Sequence, residues 1–200
     1  SNLDLELQLE RESDYDLYRF ESFYNYGSQE FSTGEKEKTT DRYGVSLEYN
    51  RDLSERLFAL SNSSWERNMI NDVRHQVNQS FGIGYRIFDQ DHLKLTVTPA
   101  FTEQYKDALG LEKRWYPLAT FFNRFRYNIN HSARVEQDLR VSADPDDSSR
   151  YQFTFNAALI FSLGEWVDLR MKYSRDYDAL VDSDTPKNEA RFTAGLDIPF

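Results

Sequence analysis

The three histidines come first among residues that could do chemistry, because histidine titrates closest to neutral pH. His131 directly precedes Ser132, which superficially suggests a base beside a nucleophile. Adjacent residues on a polar turn do not form such a pair without a further group that orients the base. His75 has Asp72 nearby but no nucleophile, and His92 follows an Asp-rich turn. The sequence therefore predicts no catalytic residue and no enzyme.

Clustered carboxylates are a second candidate, since divalent cations prefer carboxylate oxygens. The stretch from Asp144 to Asp147 reads Asp-Pro-Asp-Asp, but it lacks the ligand spacing of a calcium loop. Cysteine is absent, which removes disulfides and thiolate metal sites from consideration. We expect a solvated turn at this position, with no metal site and no cofactor.

A larger set of charged residues lies in stretches where polar and apolar residues alternate. Its candidate members are Glu6, Glu21, Arg42, Glu48, Arg86, Lys94, Arg124, Arg126, Arg134, Glu136, Asp138, Arg140, Asp168, Arg170, Lys172 and Arg191. Such residues either line a pathway for ions or small solutes or form cross-strand ion pairs that hold strands together. With Asp4, Glu10, Asp197 and Arg19 added, the predicted lumen holds nine acids and eleven bases. This near balance favours ion pairs, because a selective pore tends to show one sign.

The elements that would position these charges are strands, because a period of two recurs along the chain. Leu3, Leu5, Leu7 and Leu9, for example, alternate with acids and glutamine. The pattern predicts eleven strands, the fourth having the weakest alternation: 2–11, 16–27, 39–51, 56–67, 74–88, 92–104, 113–128, 132–143, 150–163, 166–176 and 188–200. Short and long connections alternate between them, as in outer-membrane barrels with short periplasmic turns and long outer loops.

The strand number decides which face meets water. About eight strands enclose a space that side chains can fill, so an apolar interior of eleven strands would leave a void. We predict an all-β, transmembrane, antiparallel up-and-down β-barrel with lipid outside and the charged set in its lumen. Apolar residues facing lipid are odd-numbered in most strands and even-numbered in strands 2 and 11. The mean hydropathy of −0.76 is compatible, because only every second residue meets lipid.

Aromatic residues make up 16% of the chain and often stand near the ends of the apolar faces, which is typical of the aromatic girdles at membrane interfaces. The chain stops at Phe200, on the apolar face of the last predicted strand. A terminal Phe in this position resembles the signal by which the outer-membrane assembly machinery recognises its substrates. We therefore expect Phe200 to be an assembly signal, whose deletion impairs assembly more than it alters the folded barrel.

Three loose motifs, in order and spacing, resemble a family of bacterial outer-membrane proteins of unknown function labelled salt-induced outer membrane proteins (the YdiY-like proteins). They are Leu53-Ser54-Glu55-Arg56 at a short turn, Gly82-x-Gly84-Tyr85-Arg86 in a strand, and Leu93-x-Leu95 after an Asp-rich turn. The resemblance covers nearly the whole chain and implies an outer-membrane location and a barrel fold, but no substrate. Members of that family begin with a further strand.

The number of predicted strands also indicates a missing first strand, because a single-chain bacterial barrel normally has an even number of strands. We expect residues 1–200 to form one barrel domain lacking its first strand, with twelve strands and two periplasmic termini in the full-length protein. The favoured role is a structural or interaction barrel whose lumen is largely closed by ion pairs. Alternatives are a small channel for ions or solutes and, more weakly, a lipid-active enzyme.

The expected surroundings of the barrel are outer-membrane lipid and lipopolysaccharide, the barrel assembly machinery during biogenesis, and an envelope protein partner. The formal net charge of −10 argues against nucleic acid, whose partners are usually basic.

Overall fold

The computed structural model describes residues 2–30, 36–69, 73–108, 113–147, 149–164, 166–179 and 188–197. Within these ranges the regular structure consists of β-strands. In the same ranges, no helix is long and apolar enough to cross a membrane.

Eleven strands form one antiparallel sheet in which each strand pairs with the next one along the chain. This confirms the predicted all-β up-and-down architecture, including the fourth strand. The strands are β1 (Asn2–Glu12), β2 (Asp16–Glu30), β3 (Lys36–Asp52), β4 (Leu57–Asn68), β5 (Val73–Gln90), β6 (Leu93–Ala108), β7 (Arg114–Asn130), β8 (Ala133–Ala143), β9 (Tyr151–Ser162), β10 (Asp168–Asp178) and β11 (Asn188–Asp197).

The two ends of the sheet differ in the length of their connections. Short turns follow β1, β3, β5, β7 and β9, and we call this end the short-turn rim. The segments that follow the even-numbered strands lie at the opposite end, the long-loop rim, and have four to nine residues, against two to five at the short-turn rim. In several strands the ladder runs further toward the long-loop rim than the alternation predicts; β6, for instance, continues to Ala108 and β10 to Asp178.

Side chains alternate between an apolar outer face and a polar inner face, as strand geometry requires. Leu5, Leu47 and Ile83 are more than 50% exposed on the outer face. Outward-facing rings pack at both ends of the strands: Tyr18 lies 5.0 Å from Tyr49 toward the short-turn rim. Toward the long-loop rim, the rings of Tyr24, Tyr43, Trp65 and His75 lie 5.6–6.3 Å apart in succession.

Glycines on the inner face make room for two inward-facing rings. A Cβ added to Gly84 would overlap the ring of Phe58, which is buried. A Cβ on Gly44 would lie 2.9 Å from the ring of Phe23. The second glycine of the Gly82-x-Gly84 motif is therefore a packing requirement, because a larger residue would displace an aromatic ring from the lumen wall.

The sheet curls until its first strand lies close to its last two strands. Lys172 on β10 binds Glu6 on β1 with an Nζ–Oε2 distance of 3.0 Å, and Arg191 on β11 reaches Asp4 on β1 at 3.5 Å. No backbone ladder joins β1 to β11 in the described residues. The expectation of a further strand between them stays a prediction, and Phe200 lies outside the described residues.

Candidate functional site: the charged lumen

Glu48 is the centre of one group of charges on the inner face. Its carboxylate accepts two hydrogen bonds from Arg124, at 3.1 and 3.2 Å, and lies 3.4 Å from Arg19. Asn50 donates a further hydrogen bond at 2.8 Å. Glu48 is 8% exposed, so these donors replace the water that a carboxylate would otherwise bind. The contact with Arg124 connects β3 to β7, which are not neighbours in the sheet.

Arg42 forms a second group toward the long-loop rim. Its guanidinium binds both carboxylate oxygens of Glu66 on β4, at 2.7 and 2.9 Å, and Asp176 on β10 at 2.8 Å. A bidentate contact of this kind fixes direction as well as distance. Arg42 therefore holds β3 and β4 in a defined position relative to β10, a strand on the other side of the lumen.

Lys106 on β6 forms a third contact between distant strands, an ion pair with Asp178 on β10. The Lys106 side chain has no exposed surface. Around this ion pair lie amides: Gln152 donates to Asp178 at 3.1 Å, and Gln104 donates to Asn78 at 2.7 Å. These amides form hydrogen bonds with the polar groups beside the ion pair. A buried ion pair is stable only when such hydrogen bonds satisfy its remaining polar atoms.

A fourth group joins β7, β8, β10 and β11 toward the short-turn rim. Glu136 lies 3.1–3.5 Å from three arginines, Arg126, Arg134 and Arg170. Arg134 also contacts Asp168 at 3.2 Å, and Arg170 contacts Asp197 at 2.5 Å. At the rim itself, Arg86 contacts Asp52 at 2.5 Å, and Lys94 lies 3.9 Å from Asp89.

The wall formed by β5 to β8 also carries a row of uncharged hydroxyl groups on its inner face. Ser80, Thr102, Thr120 and Ser142 stand on four consecutive strands and are linked by hydrogen bonds of 2.8–2.9 Å. All four are at most 4% exposed. We call these four residues the hydroxyl row. Each hydroxyl can donate and accept, so the row satisfies itself along the wall without reaching across the lumen.

Two of the candidate lumen residues have no hydrogen bond or ion pair among the described residues. Arg140 on β8 lies over the Phe122 ring at 5.6 Å, and its Nη2 atom is buried without a hydrogen-bond partner. Glu21 on β2 is the other. The remaining described candidates each have a partner of opposite charge, so these two stand apart from the ion-pair groups.

A cavity of about 900 Å³ borders these groups along β8 to β11 and β1 to β5. Arg140 and Glu21 both contribute to its wall. Leu5, Phe192 and Leu196, whose side chains belong to the outer face, also contribute. The cavity is therefore continuous with the space between β1 and β11.

Among the described residues, the histidines and the Asp-rich loop make no contact typical of catalysis or metal binding. His131 and Ser132 sit exposed in the turn between β7 and β8. No cluster of three or more metal-binding side chains exists within the described ranges. The Ser149 hydroxyl and backbone N–H both donate to Asp147, at 2.6 and 3.0 Å. These hydrogen bonds lower the pKa of the Asp147 carboxyl below its ordinary value, as expected for a stabilised carboxylate.

The whole chain matches one known protein family. A family model described as "Protein of unknown function, DUF481" matches residues 1–200. The chain belongs to this family. No sequence among curated proteins matches the chain.

Solved structures of two porins share the fold of this DUF481 chain. The NanC porin is 9% identical, with a TM-score of 0.65, and the match covers 100% of this chain and 94% of that one. The KdgM porin in complex with disordered oligogalacturonate is 11% identical, with a TM-score of 0.51, covering 100% and 99%. The chain therefore has the fold of outer-membrane porins.

Sequence reasoning missed several members of the lumen groups. Lys106 and Asp178 were expected in loops, because the polarity of their neighbours hides the continuation of β6 and β10. Residue parity would have found them, since the inward residues of both strands are even-numbered. Glu66 and Asp176 fell within predicted strands and share that parity. Nothing in the spacing indicates which acid each base would contact.

Proposed function

We propose that this chain is an outer-membrane barrel with a structural or interaction role, whose lumen is largely closed by ion pairs. The observation that carries this proposal is a set of three ion pairs between strands separated by at least three others. These are Glu48–Arg124, Arg42–Asp176 and Lys106–Asp178. Long side chains that meet in mid-lumen occupy the space that a solute would need.

The fold supports a setting for the barrel that we include in this proposal. The short-turn rim and both termini of the full-length protein lie on the periplasmic side, and the long loops lie outside, as in other bacterial barrels. The outer apolar face contacts lipid and lipopolysaccharide. The barrel assembly machinery inserts the chain, and an envelope protein that binds the barrel would contact its exposed loops.

Single-channel recording in planar bilayers tests the closed lumen. We expect no conductance steps from the folded wild-type protein. The triple variant Arg42→Gln, Lys106→Gln, Arg124→Gln should show steps, because one partner of each long-range ion pair is neutral. Arg11→Gln is a matched control, since Arg11 is exposed on the outer face of β1. Heat-dependent gel mobility would verify that each protein is a folded barrel.

A narrow channel for ions or small solutes is the second candidate, favoured by the cavity of about 900 Å³ beside the ion pairs. Discrete conductance steps from the wild-type protein would support this channel and refute the closed barrel. In that case the triple variant should change the unit conductance, whereas Arg11→Gln should not.

A further inference from the structure

We propose that Arg140 forms a binding site for a small, hydroxyl-bearing organic anion inside the lumen cavity, with the anion's carboxylate on the guanidinium. Arg140 lies on β8 and contributes to the cavity wall. Binding there requires the cavity alone, so the proposal does not depend on whether the lumen conducts.

Unlike the other candidate arginines, Arg140 has no carboxylate partner among the described residues. Arg42, Arg124 and Arg134 each contact two carboxylates within 3.2 Å. Arg140 contacts none within the described ranges, and its guanidinium forms no hydrogen bond there. A guanidinium stays charged at any physiological pH. Keeping a charge partly buried without a partner costs free energy. An anion that bound Arg140 would remove that cost.

The acid that acts on Arg140 electrostatically is already engaged by another base. Glu66 attracts Arg140 electrostatically, but both of its oxygens bind Arg42, at 2.7 and 2.9 Å. Transfer of Glu66 to Arg140 would break that bidentate contact. Arg140 therefore remains available to an anion from solution, while its guanidinium lies over the Phe122 ring, 5.6 Å from the ring centroid, and is held there.

Uncharged polar side chains lie beside Arg140 on the cavity wall. Thr154 is its cross-strand partner on β9, and Asn156 stands on the same inner face of that strand. These neutral groups both donate and accept hydrogen bonds, which suits the hydroxyl groups of a solute. The planar guanidinium suits a carboxylate, which it can bind in a bidentate manner. Together they specify a hydroxylated carboxylate rather than a simple halide ion.

Gluconate is a suitable probe, with sorbitol as its neutral counterpart. We expect gluconate, but not sorbitol, to bind the folded wild-type barrel in calorimetric titration. Arg140→Gln should lose this binding at least tenfold, and Arg140→Lys should retain part of it. Arg126→Gln is the matched control, because it removes one lumen arginine that lies outside the cavity wall. Equal binding to wild type and Arg140→Gln, or no binding to wild type, would overturn the proposal.

A second measurement needs no variant. Phenylglyoxal modifies accessible arginines, and mass spectrometry reports each modified position in the folded wild-type protein. We expect gluconate to protect Arg140 severalfold while leaving Arg126 unprotected. Equal modification of Arg140 with and without gluconate would contradict the site. Protection by inorganic phosphate as strong as by gluconate would overturn the preference for a hydroxylated carboxylate.

Discussion

The hydroxyl row and the ion pairs of Glu48 occupy the same inner face, yet they stabilise the barrel in different ways. In the hydroxyl row each side chain is short and bonds to the strand beside it, as Thr102 does with Ser80 and Thr120. Glu48 instead holds Arg124 from a strand four places along the sheet. Short neutral groups stabilise the wall, whereas long charged groups connect opposite walls. The difference follows from reach and from the cost of leaving a charge unpaired.

The largest expected effect comes from breaking the long-range contact. Glu48→Ala should lower the free energy of unfolding by about 3–5 kcal/mol, because Arg19 and Arg124 would lose a buried carboxylate between them. Urea unfolding of the protein refolded in lipid vesicles would measure it. Glu10→Ala is the control, since the Glu10 side chain is 39% exposed and, among the described residues, binds Arg19 alone; it should cost under about 1 kcal/mol. Equal costs for the two would refute the comparison.

A slightly smaller effect tests the assumption that both regions face the lumen. Leu47→Arg should cost about 2–4 kcal/mol if Leu47 lies near the bilayer midplane, because its side chain is 51% exposed on the outer face. Ser46→Arg should be tolerated, since Ser46 borders the cavity. Vesicle refolding yields and unfolding midpoints would compare the two. Similar losses in both variants would mean that the two faces are not distinguished by lipid.

The hydroxyl row should respond less than the ion pairs. Thr102→Val keeps the shape of the side chain but leaves Ser80 and Thr120 short of a partner, at a cost of about 1–3 kcal/mol. Thr98→Val is the matched control, because Thr98 is 3% exposed and its hydroxyl makes no hydrogen bond in the described part of the chain. A Thr98→Val cost equal to that of Thr102→Val would show that packing, not the row, stabilises this wall.

The smallest effect is expected outside both regions, in the loop after β8. Hydrogen bonds from Ser149 lower the pKa of Asp147, so their contribution is complete above the ordinary carboxyl pKa and is lost as pH falls through the lowered value. The Ser149 amide resonance should shift on acidification below about pH 4, while barrel stability stays almost unchanged. Asp147→Asn should remove this pH dependence, and Asp146→Asn should not. A Ser149 shift that persists in Asp147→Asn would assign it to another group.

Much of the fold could be predicted because it depends on local features. The alternation around Leu3 to Leu9 and around Tyr43 to Tyr49 specifies strand and face together. The short turns specify which strands pair. Boundaries were less accurate at the long-loop rim, where β6 and β10 continue through polar residues, because pairing with a neighbouring strand extends a ladder regardless of local polarity.

The sequence by itself determined that this protein is an antiparallel barrel with apolar residues outside and charges inside, since strand periodicity and connection length are both local properties. It also predicted many of the charged residues on the inner face, though not all of them. Only the tertiary structure decided which charges meet. The partners of Glu48 and Arg42 come from strands far along the chain, and their contact depends on how the sheet curls. For the same reason only the structure could show that Arg140, alike in type and parity to its neighbours, has no acid partner among the described residues.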